Sequence, residues 1–115
     1  MAKKKTAKLS KAFYTKVKEI AADLGVAPAD LMQVMAFETA GSFDPAQRAG
    51  NKKDGAVGLI QFTEESAKDL KTTQAELADM SAEEQLDKVH QHLKRIGPGN
   101  LKKLKASKEK LLDLY

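Results

Sequence analysis

Two short stretches of the sequence contain residue types that could support acid–base chemistry. Glu38 stands at the end of an otherwise apolar segment, and residues 58–62 (Gly-Leu-Ile-Gln-Phe) follow after a polar loop. Apolar surroundings favour the neutral form of a carboxyl group, which suits a general acid. Gly58 lets the backbone approach a bound molecule closely, and the amide of Gln61 could hydrogen-bond that molecule. The pattern predicts a cleft with one acid/base carboxylate.

Each of these residues also has a structural interpretation, which the sequence leaves open. Glu38 could instead form an ion pair with a nearby base such as Arg48, because structural ion pairs also occupy helix ends. Gln61 could bond the backbone of its own loop, and a purely structural turn would also need Gly58.

The elements that must position these residues are predicted to be helices, from the spacing of apolar residues and from cap signals. The predicted helices cover about residues 8–24, 28–40, 64–70, 73–80 and 81–96, with a last one that Ser107 caps. The helix over 28–40 is apolar around most of its circumference, which is typical of a core helix. Polar residues 42–55 form a long loop, and residues 58–62 form either a short strand or a tight helical turn.

Local signals set the predicted ends of these helices. Gly25 is expected as a left-handed cap and Pro28 as a first-turn residue. Thr63 is expected to cap the helix over 64–70. Two capping boxes are predicted, formed by the pairs Thr73–Glu76 and Ser81–Glu84. The fold class is therefore all-α, with at most a small β element around the loop.

Composition restricts the function classes. The 115 residues carry a net charge of +4 and include no cysteine, which excludes a disulfide framework and a thiolate metal site. His90 and His92 point to different faces of a predicted helix, so we predict no metal and no cofactor. The lysine-rich ends could bind nucleic acid, an anionic membrane or an acidic polymer, or could simply aid solubility. Nucleic acid is not the expected partner, because aromatic residues are not interleaved with the lysines.

Targeting signals are not evident in the sequence. Residues 1–15 are basic, but no uninterrupted apolar run follows them, so we predict no secretory signal. No apolar run approaches the roughly 20 residues that span a bilayer. We therefore expect synthesis in the cytoplasm, with any substrate outside it reached by another route.

Several segments, taken in order, resemble the soluble lytic transglycosylase and goose-type lysozyme family. They are Glu38-Thr39 at a helix end, Phe43-Asp44-Pro45 in the loop, residues 55–62 (Gly-Ala-Val-Gly-Leu-Ile-Gln-Phe), and Glu65-Ser66-Ala67 on the next helix. The resemblance covers residues 28–70, and the Gly-Leu-Ile-Gln-Phe variant is most similar to phage-borne members. It implies one lysozyme-like domain over residues 1–115.

The resemblance implies an enzyme that cleaves the β-1,4 bond between N-acetylmuramic acid and N-acetylglucosamine in peptidoglycan. Glu38 would be the lone acid/base, assisted by the sugar's own 2-acetamido group. The products would carry either a 1,6-anhydro ring or a reducing end. A single acid departs from the two-carboxylate pattern of most glycosidases. No other acid stands out, since Asp44 and Asp54 are expected as turn residues.

The resemblance also implies a set of substrate-binding residues: Phe43, Gly58, Gln61, Thr63 and Tyr115. Gln61 would hydrogen-bond the acetamido group of the sugar. At 5% aromatic content, Phe43 and Phe62 could instead belong to the core.

Two features depart from the family pattern. Thr39 replaces the usual serine, and the later Ala-Tyr-Asn-Ala-Gly segment has no counterpart, so Tyr115 in Asp-Leu-Tyr would have to stand in for its tyrosine. Because Tyr115 is the last residue, we expect a truncated member or a fragment. The alternative function is a non-catalytic cell-wall glycan-binding module in a phage virion. Both interpretations place the protein on peptidoglycan strands, with other virion proteins as further partners.

Overall fold

Helices dominate the part of the chain that the structure, a computed structural model, describes, which is residues 9–51 and 55–97. Within these ranges lie α1 (Lys11–Leu24), α2 (Pro28–Glu38), α3 (Glu64–Asp69), α4 (Gln74–Ala78) and α5 (Ala82–Ile96), with a short 3-10 turn at Ala49–Asn51. Strand pairing in the same ranges is limited to two isolated β-bridges. The all-α prediction is confirmed at this level. The predicted last helix and Tyr115 lie outside the described residues.

Helix α1 follows its caps and its apolar spacing. The Ser10 hydroxyl accepts a hydrogen bond from the Phe13 N–H, so the helix begins at Lys11 rather than near residue 8. Val17 and Ile20 continue the buried stripe. Gly25 ends the helix in the left-handed conformation, at φ 72°, as predicted.

Helix α2 begins at Pro28, as predicted, and ends at Glu38, before the predicted end near Ala40. The helix cannot continue, because Ala40 and Gly41 both have positive φ, at 53° and 85°. Leu31, Val34 and Met35 are buried, but the remaining apolar residues of the helix are partly exposed: Met32, Ala36 and Phe37. The prediction of a core helix is therefore correct for one face only.

Helices α3, α4 and α5 begin at capping hydroxyls. Ser81 and Glu84 form the predicted capping box. Thr73 accepts a hydrogen bond from the Glu76 N–H, but the carboxylate of Glu76 accepts one from the Thr72 hydroxyl at 2.8 Å. The capping box predicted there is therefore only half formed, because the side chain of Glu76 bonds Thr72.

The core lies where α1 packs on both α2 and α5. Its fully buried side chains include Phe13, Leu31, Leu86 and Leu93. Polar contacts join the edges of α1 and α5, among them Lys16 to Asp87 at 3.0 Å. Such partly exposed ion pairs contribute little stability, so apolar burial dominates.

Residues 57–62 form a tight β-type turn. Val57 and Phe62 exchange two backbone hydrogen bonds of 2.9 and 2.7 Å, and Val57 also bridges to Arg48. Residues 58–61 form a hydrogen-bonded turn, in which the Gln61 N–H donates to the Gly58 carbonyl oxygen at 3.1 Å, so the segment is neither a strand nor a helix. Both Val57 and Phe62 are buried, so the turn is anchored in the core at its two ends.

No single helix in the described ranges is both long and apolar enough to cross a membrane. Helices α1 and α2 pass that length and composition test only as a pair, with a bend of 115° between them.

Candidate functional site

Glu38 is the last residue of α2, and its side chain is partly exposed. The next residue, Thr39, is fully buried. The Thr39 hydroxyl donates to the carbonyl oxygen of Met35 at 2.8 Å and accepts from the Phe43 N–H at 2.9 Å. The backbone on the C-terminal side of Glu38 is therefore fixed by a buried side chain. Glu38 itself lies where the helix meets the polar loop.

Hydrogen bonds continue from this helix end through the loop. Ser42 donates its hydroxyl hydrogen to Oε1 of Gln47 at 2.7 Å. Oδ1 of Asp44 accepts from the Ala46 N–H at 2.9 Å, which is the turn role predicted for Asp44. The loop near Glu38 is thus held by its own side chains.

Gln61 is joined to the same loop. Its Nε2 donates to the carbonyl oxygens of Gln47, at 3.1 Å, and Gly58, at 3.0 Å. This is the loop-bonding role that the sequence left open as an alternative. Because the two carbonyls hold the amide nitrogen, they also fix where the amide oxygen Oε1 points. A substrate role for Gln61 remains a prediction, in which this oxygen would accept a hydrogen bond from the substrate.

Gly58 is buried and has a φ of 90°. Its N–H donates to the carbonyl oxygen of Gln47 at 2.8 Å. A Cβ atom at this position would collide with Oε1 of Gln85 and lie 2.9 Å from its Cδ. Packing therefore already requires a glycine here, and backbone approach to a substrate remains a prediction.

Gln85, which the sequence pattern did not single out, bonds the segments around Gly58 and the polar loop. Its side chain is fully buried. Nε2 donates to the carbonyl oxygens of Pro45, at 2.9 Å, and Leu77, at 2.8 Å, while Oε1 accepts from the Leu59 N–H at 2.8 Å. The signal that could have found it is its spacing, because residue 85 falls one helical turn before Val89 on the buried stripe of α5.

Phe43, the aromatic residue predicted to line the substrate site, is partly buried and partly exposed. It has a φ of 52° and packs edge-on against Phe13 with ring centroids 6.1 Å apart. Phe62 is buried, so the core alternative is correct for Phe62. Phe43 contacts the core while keeping an exposed part.

Thr63 lies at the N-terminus of α3, and its side chain is exposed. Its hydroxyl accepts from the Ser66 N–H at 3.0 Å, which completes a capping box. Thr63 also borders an open depression of about 470 Å³ together with Glu64, Glu65 and Lys68. A larger depression, of about 570 Å³, lies between α3 and α5 and is lined by none of the predicted site residues.

Arg48 is the base that the sequence suggested as an ionic partner for Glu38. Its Nη1 donates to the carbonyl oxygen of Gly55 at 2.8 Å. This bond joins residues 48 and 55, in the second half of the loop. Arg48 therefore has a structural role in holding the loop closed.

His92 lies behind the 57–62 turn. Its ring is edge-on to Phe62, with centroids 5.9 Å apart. Nδ1 is buried and has no hydrogen-bond partner among the residues that the structure describes. Burial lowers the pKa of His92 below its ordinary 6.5, and the Arg95 guanidinium lowers it further, whereas the Asp69 carboxylate raises it. The neutral imidazole is thus the favoured form at this position.

Comparison with known proteins adds no relative: no family model matches the chain, and neither a search of curated proteins nor a search of solved structures finds a match.

Proposed function

We propose that the protein cleaves the β-1,4 bond between N-acetylmuramic acid and N-acetylglucosamine in peptidoglycan, with Glu38 as its single acid/base. The observation that supports this most directly is the hydrogen-bonded connection between the end of α2 and Gln61. The Thr39 hydroxyl accepts from the Phe43 N–H, and the hydroxyl of the preceding Ser42 donates to the Gln47 side chain. The Gln47 carbonyl oxygen accepts from the Gln61 amide. The two residues to which the resemblance assigns chemistry, Glu38 and Gln61, thus belong to one connected unit.

In the first step, the Glu38 carboxyl gives a proton to the glycosidic oxygen as the bond from that oxygen to C1 breaks. The carbonyl oxygen of the 2-acetamido group bonds to C1 and takes the place of a protein nucleophile. The Glu38 carboxylate then removes a proton from the attacking hydroxyl, either water or the sugar's own 6-hydroxyl. The oxygen of that hydroxyl bonds to C1 as the bond from C1 to the acetamido oxygen breaks, which restores the acetamido group. One carboxyl group therefore serves as acid and then as base.

Gln61 orients the acetamido group in this proposal. Its Nε2 is held by two backbone carbonyls, so its Oε1 can accept the acetamido N–H without a change in the amide. An acceptor fixed in advance loses little freedom on binding, which favours a productive geometry. The partly exposed Met32, Ala36 and Phe37 of α2 supply apolar surface on the same helix.

The experiment is release of soluble muropeptides from purified sacculi by wild type and by Glu38→Gln. We expect wild type to release fragments and the variant to release them at least about a hundred-fold more slowly. The mass of each product separates an anhydro end from a reducing end. Equal release by the two proteins would remove Glu38 from the mechanism.

A second candidate function is a glycan-binding module that does not cut. It is favoured by a departure from the family pattern, because residues 1–115 contain no counterpart of the Ala-Tyr-Asn-Ala-Gly segment. Such a module would co-sediment with sacculi and release nothing at any pH. On either proposal we place the protein at the cell wall as a phage-borne component, on the strength of the Gly-Leu-Ile-Gln-Phe resemblance.

A further inference from the structure

Gln85 contacts the backbone of three separate segments from inside the core. Its amide bonds Pro45 in the loop after α2, Leu59 in the 57–62 turn, and Leu77 in α4. Gln85 and Thr39 are the buried polar residues of the described ranges. A fully buried polar side chain is costly unless its bonding groups are satisfied, and here they are.

The chemistry of the site selects an amide of this length. The buried Leu59 N–H needs an acceptor, which Oε1 of Gln85 supplies. The carbonyl of Pro45 accepts from Nε2, and the carbonyl of Leu77 accepts from Nε2 in addition to the Met80 N–H. Glutamine offers an acceptor and two N–H donors at one side-chain terminus. Methionine has a comparable length but offers no N–H donor, and a charged glutamate would place an unpaired charge in the core.

The segments that Gln85 holds are the ones that hold Gln61. The Gln61 amide is bonded to the carbonyls of Gln47 and Gly58. Pro45 lies two residues before Gln47, and Leu59 directly follows Gly58. A shift of either segment would therefore move one of the two carbonyls that orient the Gln61 side chain.

We propose that Gln85 is a positioning residue, which acts through the loop and the turn to fix the orientation of the Gln61 amide. It does not touch the substrate. The assignment rests on the proposed function only where activity is measured, because the orientation of Gln61 can be measured without a substrate.

The test compares wild type, Gln85→Met and Gln85→Glu with Val89→Ala as the matched control. Val89 is fully buried on the same helix, so Val89→Ala destabilises the core without removing a bond to the loop or the turn. All variants are studied at a temperature where circular dichroism shows them folded. Hydrogen exchange of the Gln61 side-chain amide and of the Leu59 N–H is followed by NMR.

We expect faster exchange at both groups in Gln85→Met and unchanged exchange in Val89→Ala. In the sacculus assay, Gln85→Met should lose about ten- to a hundred-fold in turnover, as expected for a small misplacement of an orienting group. Gln85→Glu should retain more turnover than Gln85→Met in mild acid, because a protonated carboxyl keeps the acceptor for Leu59 and one donor. It should lose that advantage as the pH rises and the carboxyl becomes charged. Val89→Ala should keep wild-type turnover.

The outcomes separate this proposal from the proposed function. If Glu38→Gln is inactive while Gln85→Met turns over like wild type with unchanged exchange, the positioning role is overturned and the function stands. If wild type itself releases nothing, the function fails, and Gln61 exchange decides alone. Exchange that rises equally in Gln85→Met and Val89→Ala would reduce Gln85 to a general stabiliser and overturn the proposal.

Discussion

Gly58 lies directly against the side-chain amide of Gln85, with no space for a Cβ atom between them. Gly58→Ala should therefore cost about 2–5 kcal/mol in the free energy of unfolding, from positive φ and overpacking together. Gly41 has a similar φ of 85° but open space around it. Gly41→Ala should accordingly lose only about 1–2 kcal/mol. Urea unfolding measures the loss of stability in each of the two variants. Equal losses would mean that the clash between the new methyl group and Gln85 adds nothing to the cost.

Thr39 should be sensitive to loss of its hydroxyl and tolerant of loss of its methyl group. Thr39→Val leaves the partly buried Phe43 N–H without its acceptor and should cost about 1–3 kcal/mol. Thr39→Ser keeps the hydroxyl and should cost about 1 kcal/mol for the lost methyl group. Chemical unfolding of both variants tests the order, and a Thr39→Val variant as stable as Thr39→Ser would contradict it.

The stability of the protein should fall in mild acid because of His92. Its pKa is lowered in the folded state by burial, so below about pH 6.5 the unfolded chain binds more protons than the folded one. The free energy of unfolding should therefore be largest above 6.5 and decline as the pH falls through the lowered folded pKa. His92→Phe should flatten this decline. Urea titrations at several pH values decide this, and a decline that persists in His92→Phe would assign it to other groups.

The Ser10 hydroxyl joins the start of α1 to Glu83 of α5. It donates to the Glu83 carboxylate, and this bond is the main reason that the pKa of Glu83 lies below its ordinary 4.5. Ser10→Ala should cost about 0.5–2 kcal/mol through loss of the helix cap. The difference in the free energy of unfolding between wild type and Ser10→Ala should narrow as the pH falls through the folded pKa of Glu83. Protonation of Glu83 removes the charge that the Ser10 hydroxyl stabilises. A difference that is constant down to acidic pH would show that only the cap matters.

The features that the sequence predicts correctly depend on neighbouring residues. Gly25 ends α1 and Pro28 begins α2 because backbone conformation at these positions is set locally. The Ser81–Glu84 capping box is likewise contained within four residues. Such signals do not depend on the rest of the fold.

The features that the sequence does not predict depend on distant contacts. The bond from Gln85 to Pro45 joins residues forty apart in the chain, and nothing in the residues adjacent to either indicates it. The direction of the Gln61 amide depends on Gln47 across the loop. The sequence leaves open whether glycine at position 58 is required by approach to a substrate or by a structural turn, whereas the contact that requires it comes from Gln85 of α5.

The central claim is that Glu38 is the acid/base, and the rate of muropeptide release from purified sacculi tests it most directly. Glu38→Gln is compared with wild type and with Glu19→Gln, which alters an exposed glutamate of α1. We predict that Glu38→Gln is slower by about a hundred- to ten-thousand-fold, as expected for loss of a general acid, while Glu19→Gln matches wild type. A Glu38→Gln rate within about two-fold of wild type, far less than general acid catalysis contributes, would contradict the account.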